Sequence, residues 1–503
     1  MNVLFIAIDD LKPTLGCYGD SRAITPNIDR LARRGVVFAN NHCQFAWSAP
    51  SRASLLFGQR PDQTQIWNLT TPFRDKNPNT VSLPQNFRDQ GYFVAGSGKI
   101  FHLESVDSGH DSLSWTKYVA YDNYSKYRPS SIAEEVVKGV GGFFNSENTD
   151  HLRKLRKEAL ARGMTNAEAN KYAQSIFRPP YESADTPDEV YTDGTTPLVT
   201  ISLIDQAAEM DRPFFIAAGF HRPHLPFICP GRYWDMYRES SFVPAPFQQK
   251  ATGSPDVAYH DSRELRTYKT DGMYPYDPTV KPDGLVYLPD SVQRRLLHGY
   301  YACVSFADAQ VGRILDHLEK KGLIDNTIIV LWGDHGWHLG DHSMWCKQSD
   351  FEQATRAPLI IVDPRAGKAI KTNMISEMVD IYPTLCDLTG IKEPHTMAGV
   401  SLRSLIYGAD KPVKEYACSQ MTRDKGVMGY TIRTDKYRYT IWIGGNPQTK
   451  KQFSAKDVIG EEFYDYLNDP METRNMIDDQ RLKAEVGQLR SCFDQYYKNK
   501  RII

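Results

Sequence analysis

The sequence lacks any apolar run of the roughly 18 residues that a membrane-spanning helix needs, any CxxC pair, and any excess of charge of one sign. The first absence argues against a membrane span. The second removes zinc-ribbon and thioredoxin-type chemistry, and the 8 cysteines show no metal-ligand spacing with histidine. They read mostly as core thiols and leave the redox compartment open. A formal net charge of -1 provides no global basic field, so nucleic-acid binding is not expected and an anionic ligand must be met by local charges. Solenoid-period repeats and low-complexity tracts are missing too. What remains is an ordinary folded composition, 41% hydrophobic and 24% charged, over 503 residues, long enough for more than one core.

Four short apolar runs share one pattern, a buried parallel strand that stops abruptly at charged or imidazole side chains. NVLFIAI runs into Asp9 and Asp10; YFVA precedes Lys99 and His102; FFIAA precedes His221 and His224; TIIVLW precedes Asp334 and His335. Helix signals lie between them, including Thr25-Pro26 as cap and first turn, and an amphipathic stretch over about 291–321 closed by Gly322. The alternation predicts an α/β fold, a mostly parallel sheet flanked by helices, with ligands bound outside the carboxyl ends of the strands. Residues of about 120–195 read as an insertion carrying a charged surface helix pair. Beyond about 410 the alternating YTIRTDKYRYTIWI and a helix near 480–497 predict a smaller α+β subdomain with an antiparallel sheet, over 411–503.

The sharpest signal is Ser48-Ala49-Pro50-Ser51-Arg52. Pro50 suits the first turn of a helix, which places Ser48 at the positive helix end and Arg52 one turn on. This pentapeptide resembles the maturation motif of type I, formylglycine-dependent sulfatases. NVLFIAIDDLKPTLGCYGD, TPNIDRLARRGVVF, HRPHLPF and DHGWHLGDHSMWCK extend the likeness to the iduronate-2-sulfatase branch over most of the chain.

The resemblance implies an alkaline-phosphatase-like catalytic domain over 1–410. It implies that a maturation enzyme oxidises Ser48 to formylglycine, whose hydrate is the nucleophile. It also implies a metal bound by Asp9, Asp10, Ser48, Asp334 and His335. An oxygen-rich donor set favours calcium, with magnesium second because of its stricter octahedral geometry. Arg52, Lys99, His102, His221 and Lys347 match the family's sulfate-binding and catalytic positions, His102 as a base, with His221 or Lys347 as the acid. His224, Trp337 and Trp345 are expected to face sugar rings.

The implied substrate is a sulfated sugar, in particular the 2-O-sulfate of a uronic acid, saturated or unsaturated, in heparin or heparan oligosaccharides. The implied setting is periplasmic or secreted, with an export signal outside the sequence given. Ser48 stands where the animal enzymes have cysteine, Phe57 where the extended motif usually has threonine, and His335 where many members have asparagine. Other readings stay open at this point: a sulfatase of another polysaccharide such as an algal one, an alkaline-phosphatase-like phosphodiesterase, or a sulfated-glycan binder with unmodified Ser48.

Overall fold

A computed structural model describes residues 1–270, 280–281 and 283–499. Strand β1 (Asn2–Ile8) is buried on both faces, which is why its sequence reads as an unbroken apolar run. Its alternate side chains serve two cores: Leu4, Ile6 and Ile8 enter one, Val3, Phe5 and Ala7 the other. The remaining strands of its sheet are β2 (Val36–His42), β3 (Phe93–Gly98), β4 (Lys117–Val119), β5 (Phe214–Phe220), β6 (Thr327–Gly333), β7 (Leu359–Val362) and β8 (Ile370–Glu377). The order across this 8-stranded sheet is β8-β2-β7-β6-β1-β5-β3-β4.

Only β7 runs antiparallel to its neighbours. β1 lies between β6 and β5, with Ile8 paired to Gly333 on one side and to Phe220 on the other. β3 pairs in parallel with β5. The carboxyl ends of β1, β3, β5 and β6 therefore share one sheet edge, so the four polar clusters beyond them meet there.

Helices cover both faces. Helix α1 (Pro26–Ala32) starts at the predicted Thr25-Pro26, and α2 (Ser48–Phe57) carries the pentapeptide. α3 (Ser146–Ala161) and α4 (Asn166–Ile176) form the charged pair read in the sequence, capped by the Asn145 and Thr165 side chains. α5 (Thr192–Ala208) precedes β5, and α6 (Asp290–Lys320) is the long amphipathic helix. No helix among the described residues is long and apolar enough to cross a membrane.

The C-terminal part holds a 4-stranded antiparallel sheet, β9 (Ala417–Arg423), β10 (Val427–Arg433), β11 (Tyr437–Ile443) and β12 (Val458–Asp465), with α7 (Lys483–Asn499) packed on it. Tyr430, Tyr439 and Phe493 from this part join the same buried cluster as Phe5 and Val330. The smaller sheet thus continues one of the two main cores. Backbone bonds seal the joint, with Gln420 N donating to Gln44 O at 2.9 Å and Cys418 N to the buried Glu377 at 2.8 Å.

Asp350 is also buried at this joint, and among the described residues neither of its carboxylate oxygens meets a donor in hydrogen-bond geometry. Gly429 passes so close that a β-carbon there would lie 2.5 Å from Asp350 Oδ2 and 2.7 Å from the Trp442 ring, so a side chain at 429 would have to displace one of them. Burial pushes the Asp350 carboxyl up to about 7, against the pull of Arg423 and Arg438. Because the unfolded chain ionises first, near pH 4, the folded state loses stability as the pH rises from there toward 7. Asp350→Asn removes that loss. Its urea midpoint relative to wild type is expected to be higher at pH 8 than at pH 4.5, and an offset independent of pH contradicts the assignment.

Candidate active site

Two adjacent carboxylates on an extended strand would point to opposite faces. Here Asp10 adopts a left-handed backbone, φ 57, so Asp9 and Asp10 both reach one cluster. The Tyr300 hydroxyl on α6 fixes this turn, donating to Asp10 O at 2.8 Å and accepting from Lys12 N at 3.0 Å. Asp334 and His335 come directly after β6, and the Asp10 amide donates to Asp334 Oδ1 at 3.0 Å. Ser48 begins α2 with its Oγ 3.3 Å from Asp9 Oδ1 and 3.3 Å from His335 Nε2.

Arg52, one turn along α2, binds the acids and a neighbouring loop together. It donates to Asp9 at 2.8 Å, to Asp334 at 3.0 Å, and to the carbonyls of Lys99 and Ile100 at 2.7 and 2.9 Å. Lys99, just past β3, pairs with Asp9. Gly219 permits this approach, since a β-carbon there would lie 2.4 Å from the Lys99 backbone. Lys347 lies 2.9 Å from Asp10 and 3.0 Å from Glu264, with its ammonium over the Trp337 ring.

Charge depends on this geometry. Burial raises Asp9, but Lys99 and Arg52 hold it well below the ordinary carboxylate range. Burial pushes Asp10 well up, more than Lys347 draws it down. Burial, reinforced by the Lys99 charge, lowers His102 and His221 to about 3, so both imidazoles are neutral at physiological pH. The His221 amide is anchored on the buried Asp193 carboxylate at 2.9 Å.

The donor set fits a hard divalent cation. Asp10, Asp334 and His335 each offer a ligand atom, all within 4.8 Å of one another. His335 Nδ1 lies 2.9 Å from Gly336 O, which places its proton there and leaves the Nε2 lone pair facing Asp10 Oδ1 at 3.3 Å. Two electron-rich atoms that face each other in a buried site call for a cation between them. Asp9, Asp10 and His224 form a second such group. There the Lys347 ammonium already lies against Asp10 and Glu264, and His224 Nε2 faces Glu264 at 3.3 Å, so the positive charge is supplied by the chain.

Asp9, Asp10, Ser48, Arg52, Lys99, Asp334, His335 and Lys347 thus form one connected cluster, with His102 and His221 close enough to sense its charges. His224 keeps about a quarter of its side chain exposed, 27%, at the rim. Trp337 and Trp345, expected at the sugar-facing rim, are not exposed there. Both rings are buried in the core, at 0% and 2% exposure, with Trp337 packed beneath the Lys347 ammonium. The sequence reading missed Glu264, a single acid in a loop without a motif. It also missed His110, whose Nε2 accepts from the Ile100 and Phe101 amides at 3.2 and 3.0 Å and so shapes the loop bearing Lys99 and His102.

Fold and cluster together define a hydrolase-like site in which a serine, an arginine and two lysines surround carboxylates able to hold a divalent cation. The sulfatase family model matches residues 1–391, and the chain belongs to that family, the sulfuric ester hydrolases. A model of the N-sulphoglucosamine sulphohydrolase C-terminal region matches residues 340–499. The chain is 31% identical to iduronate 2-sulfatase of Mus musculus, over 97% of this chain and 93% of that protein. It is 23% identical to a Delta 4,5-hexuronate-2-O-sulfatase of Bacteroides thetaiotaomicron, over 98% and 88%. A phosphonate monoester hydrolase from Silicibacter pomeroyi shares the fold, with a TM-score of 0.72 at 21% identity, covering 99% of this chain and 95% of that one.

Proposed function

We propose that this protein removes the 2-O-sulfate from a uronic acid, saturated or unsaturated, in heparin or heparan sulfate oligosaccharides. The observation that carries the reading is the place of Ser48 Oγ, 3.3 Å from both Asp9 and His335 inside the arginine- and lysine-bound carboxylate cluster. The iduronate- and hexuronate-2-O-sulfatase relatives support the substrate class.

A plain serine hydroxyl is a weak nucleophile, whereas the hydrated aldehyde made from it by a maturation enzyme carries two hydroxyls on one carbon. One hydroxyl passes its proton to the Asp9 carboxylate, which Ser48 Oγ faces at 3.3 Å, as its oxygen attacks sulfur; the bond from sulfur to the sugar oxygen breaks, and that oxygen takes a proton from Lys347, or from His221 once the bound anionic ester has drawn a proton onto its imidazole. Neutral His102 then accepts the proton of the second hydroxyl. The aldehyde re-forms as the carbon–oxygen bond to sulfate breaks, so sulfate leaves without attack by water on sulfur. Lys99 and Lys347 meet the charge on the sulfate oxygens, and Arg52 holds the residue at position 48 against Asp9 and Asp334. Asp9, Asp10, Asp334 and His335 would hold calcium, which supplies Lewis-acid polarisation of the sulfate. Periplasmic or extracellular residence agrees with such a polymer-derived substrate.

The test is sulfate release from unsaturated heparin disaccharides carrying a single 2-O-, 6-O- or N-sulfate, with and without a calcium chelator, beside an aryl phosphodiester. Release from the 2-O isomer alone, abolished by chelator and restored by calcium, is the expected result. Release from another isomer with formylglycine present at 48 discards the 2-O assignment, and turnover of the phosphodiester alone discards the sulfate ester itself.

A further inference from the structure

The helix pair α3 and α4 has no part in the chemistry above, yet the chain that follows α4 is rooted near the rim of the site by two short strands. The strand Phe177–Arg178 pairs with Lys269–Thr270, just beyond Glu264, which touches Lys347 and His224. The strand Tyr181–Ala184 then pairs with Phe227–Pro230, which comes directly after the His221–His224 loop, and Phe227 N donates to Pro180 O at 2.8 Å. The hairpin therefore stands beside the entrance.

Its first helix is two-sided. Asn148, Leu152, Leu155 and Ala159 recur at helical spacing and are buried. On the far side Arg153, Lys154 and Lys157 are exposed, within the run Leu152-Arg153-Lys154-Leu155-Arg156-Lys157. Between 151 and 162 there are five lysines and arginines, at 153, 154, 156, 157 and 162, against one acid, Glu158. Arg153 is paired, with Asp150 at 2.8 Å. Lys154 and Lys157 have no ionic or hydrogen-bonding partner among the described residues, and Arg156 Nε is buried without one. In a chain of net charge -1 this is a local concentration of cations, with the spacing that basic clusters use to bind polyanions.

We propose that the exposed face of α3, through Arg153, Lys154 and Lys157, is a docking surface for the continuing sulfated polysaccharide chain outside the catalytic pocket. The inference rests on the sulfated-glycan reading of the site and extends it from a terminal sugar to a polymer. A chain whose end residue sits among Lys99 and Lys347 carries further sulfates and carboxylates past the rim, and the α3 face meets them with mobile lysines that release counterions on contact. The occupant fitted by this surface is a linear sulfated glycan several sugars long. A disaccharide has too few charges to reach both places.

The test uses the full chain and the double variant Lys154→Glu/Lys157→Glu on immobilised heparin, with elution by a salt gradient. Wild type is expected to elute at clearly higher salt than the variant. The ratio of kcat/KM on a heparin decasaccharide to kcat/KM on the disaccharide is expected to fall about tenfold in the variant, as loss of two exposed charge contacts implies. Co-elution of the two proteins, or an unchanged ratio, overturns the proposal. Release of wild type by duplex DNA as readily as by soluble heparin overturns the glycan assignment. If wild type turns over neither sugar, the column still decides the surface, and failure of the site reading remains distinguishable from failure of this one.

Discussion

Ser48→Ala is expected to abolish sulfate release, lowering kcat by about 10^4-fold or more, while the thermal midpoint stays close to that of wild type. The side chain is buried and removes one oxygen, with two contacts at 3.3 Å that are too long to hold the fold together. Its neighbours keep their own partners, since Asp9 still has Arg52 and Lys99, and Asp334 still has Arg52. A large loss of turnover without loss of stability therefore isolates a chemical role. Mass spectrometry of the peptide spanning Ser48 accompanies the assay, because formylglycine is about two mass units lighter than serine. Equal turnover by wild type and the alanine variant refutes the nucleophile assignment. An unmodified, inactive wild type that still retains heparin supports the binding-protein reading instead.

Arg52→Met is the opposite case, with activity and stability expected to fall together, the latter by about 3–5 kcal/mol. Arg52 is 1% exposed and is the group that pairs with both Asp9 and Asp334. Methionine fills much of the volume but leaves two carboxylates buried with less positive charge and frees two loop carbonyls, those of Lys99 and Ile100. Added calcium is expected to stabilise the variant, because a cation bound only to the folded state raises its apparent stability. Arg52→Lys restores charge but not the planar fork that reaches four acceptors, so it rescues stability more than turnover. Melting curves with and without calcium give the readout, and a methionine variant as stable as wild type in chelator removes Arg52 as the brace of the cluster.

Much of this site is legible in the sequence because parallel strands buried on both faces end abruptly, and the polar residues at their carboxyl ends are forced to one edge. Asp9, Asp334, Lys99 and His221 stand out on that ground without any likeness to a family. The pentapeptide adds Ser48 and Arg52 through helix position. Direction within the sheet is less legible, since the LIIV run of β7 reads the same whether parallel or antiparallel. Trp337 and Trp345 show where composition misleads: an aromatic residue next to a catalytic loop has one sequence signature whether it lines the cleft or supports it. Glu264 lies far along the chain from its partner Lys347, and nothing local marks an acid that tertiary folding alone brings to an ammonium.

The position of β1 sets a timetable for synthesis. Residues 2–8 are translated well before residues 214–220 and 327–333, between which they lie in the finished sheet. Ser48, nearly sealed from solvent in the completed protein at 2% exposure, cannot be enclosed until that third strand has been made. At usual translation rates the interval between the emergence of the two segments is on the order of 15–60 s. Throughout it the pentapeptide remains outside the finished sheet, the state in which the maturation proposed above would find it. A central strand drawn from far upstream of both its neighbours thus leaves open, for a time, a residue that the finished fold largely encloses.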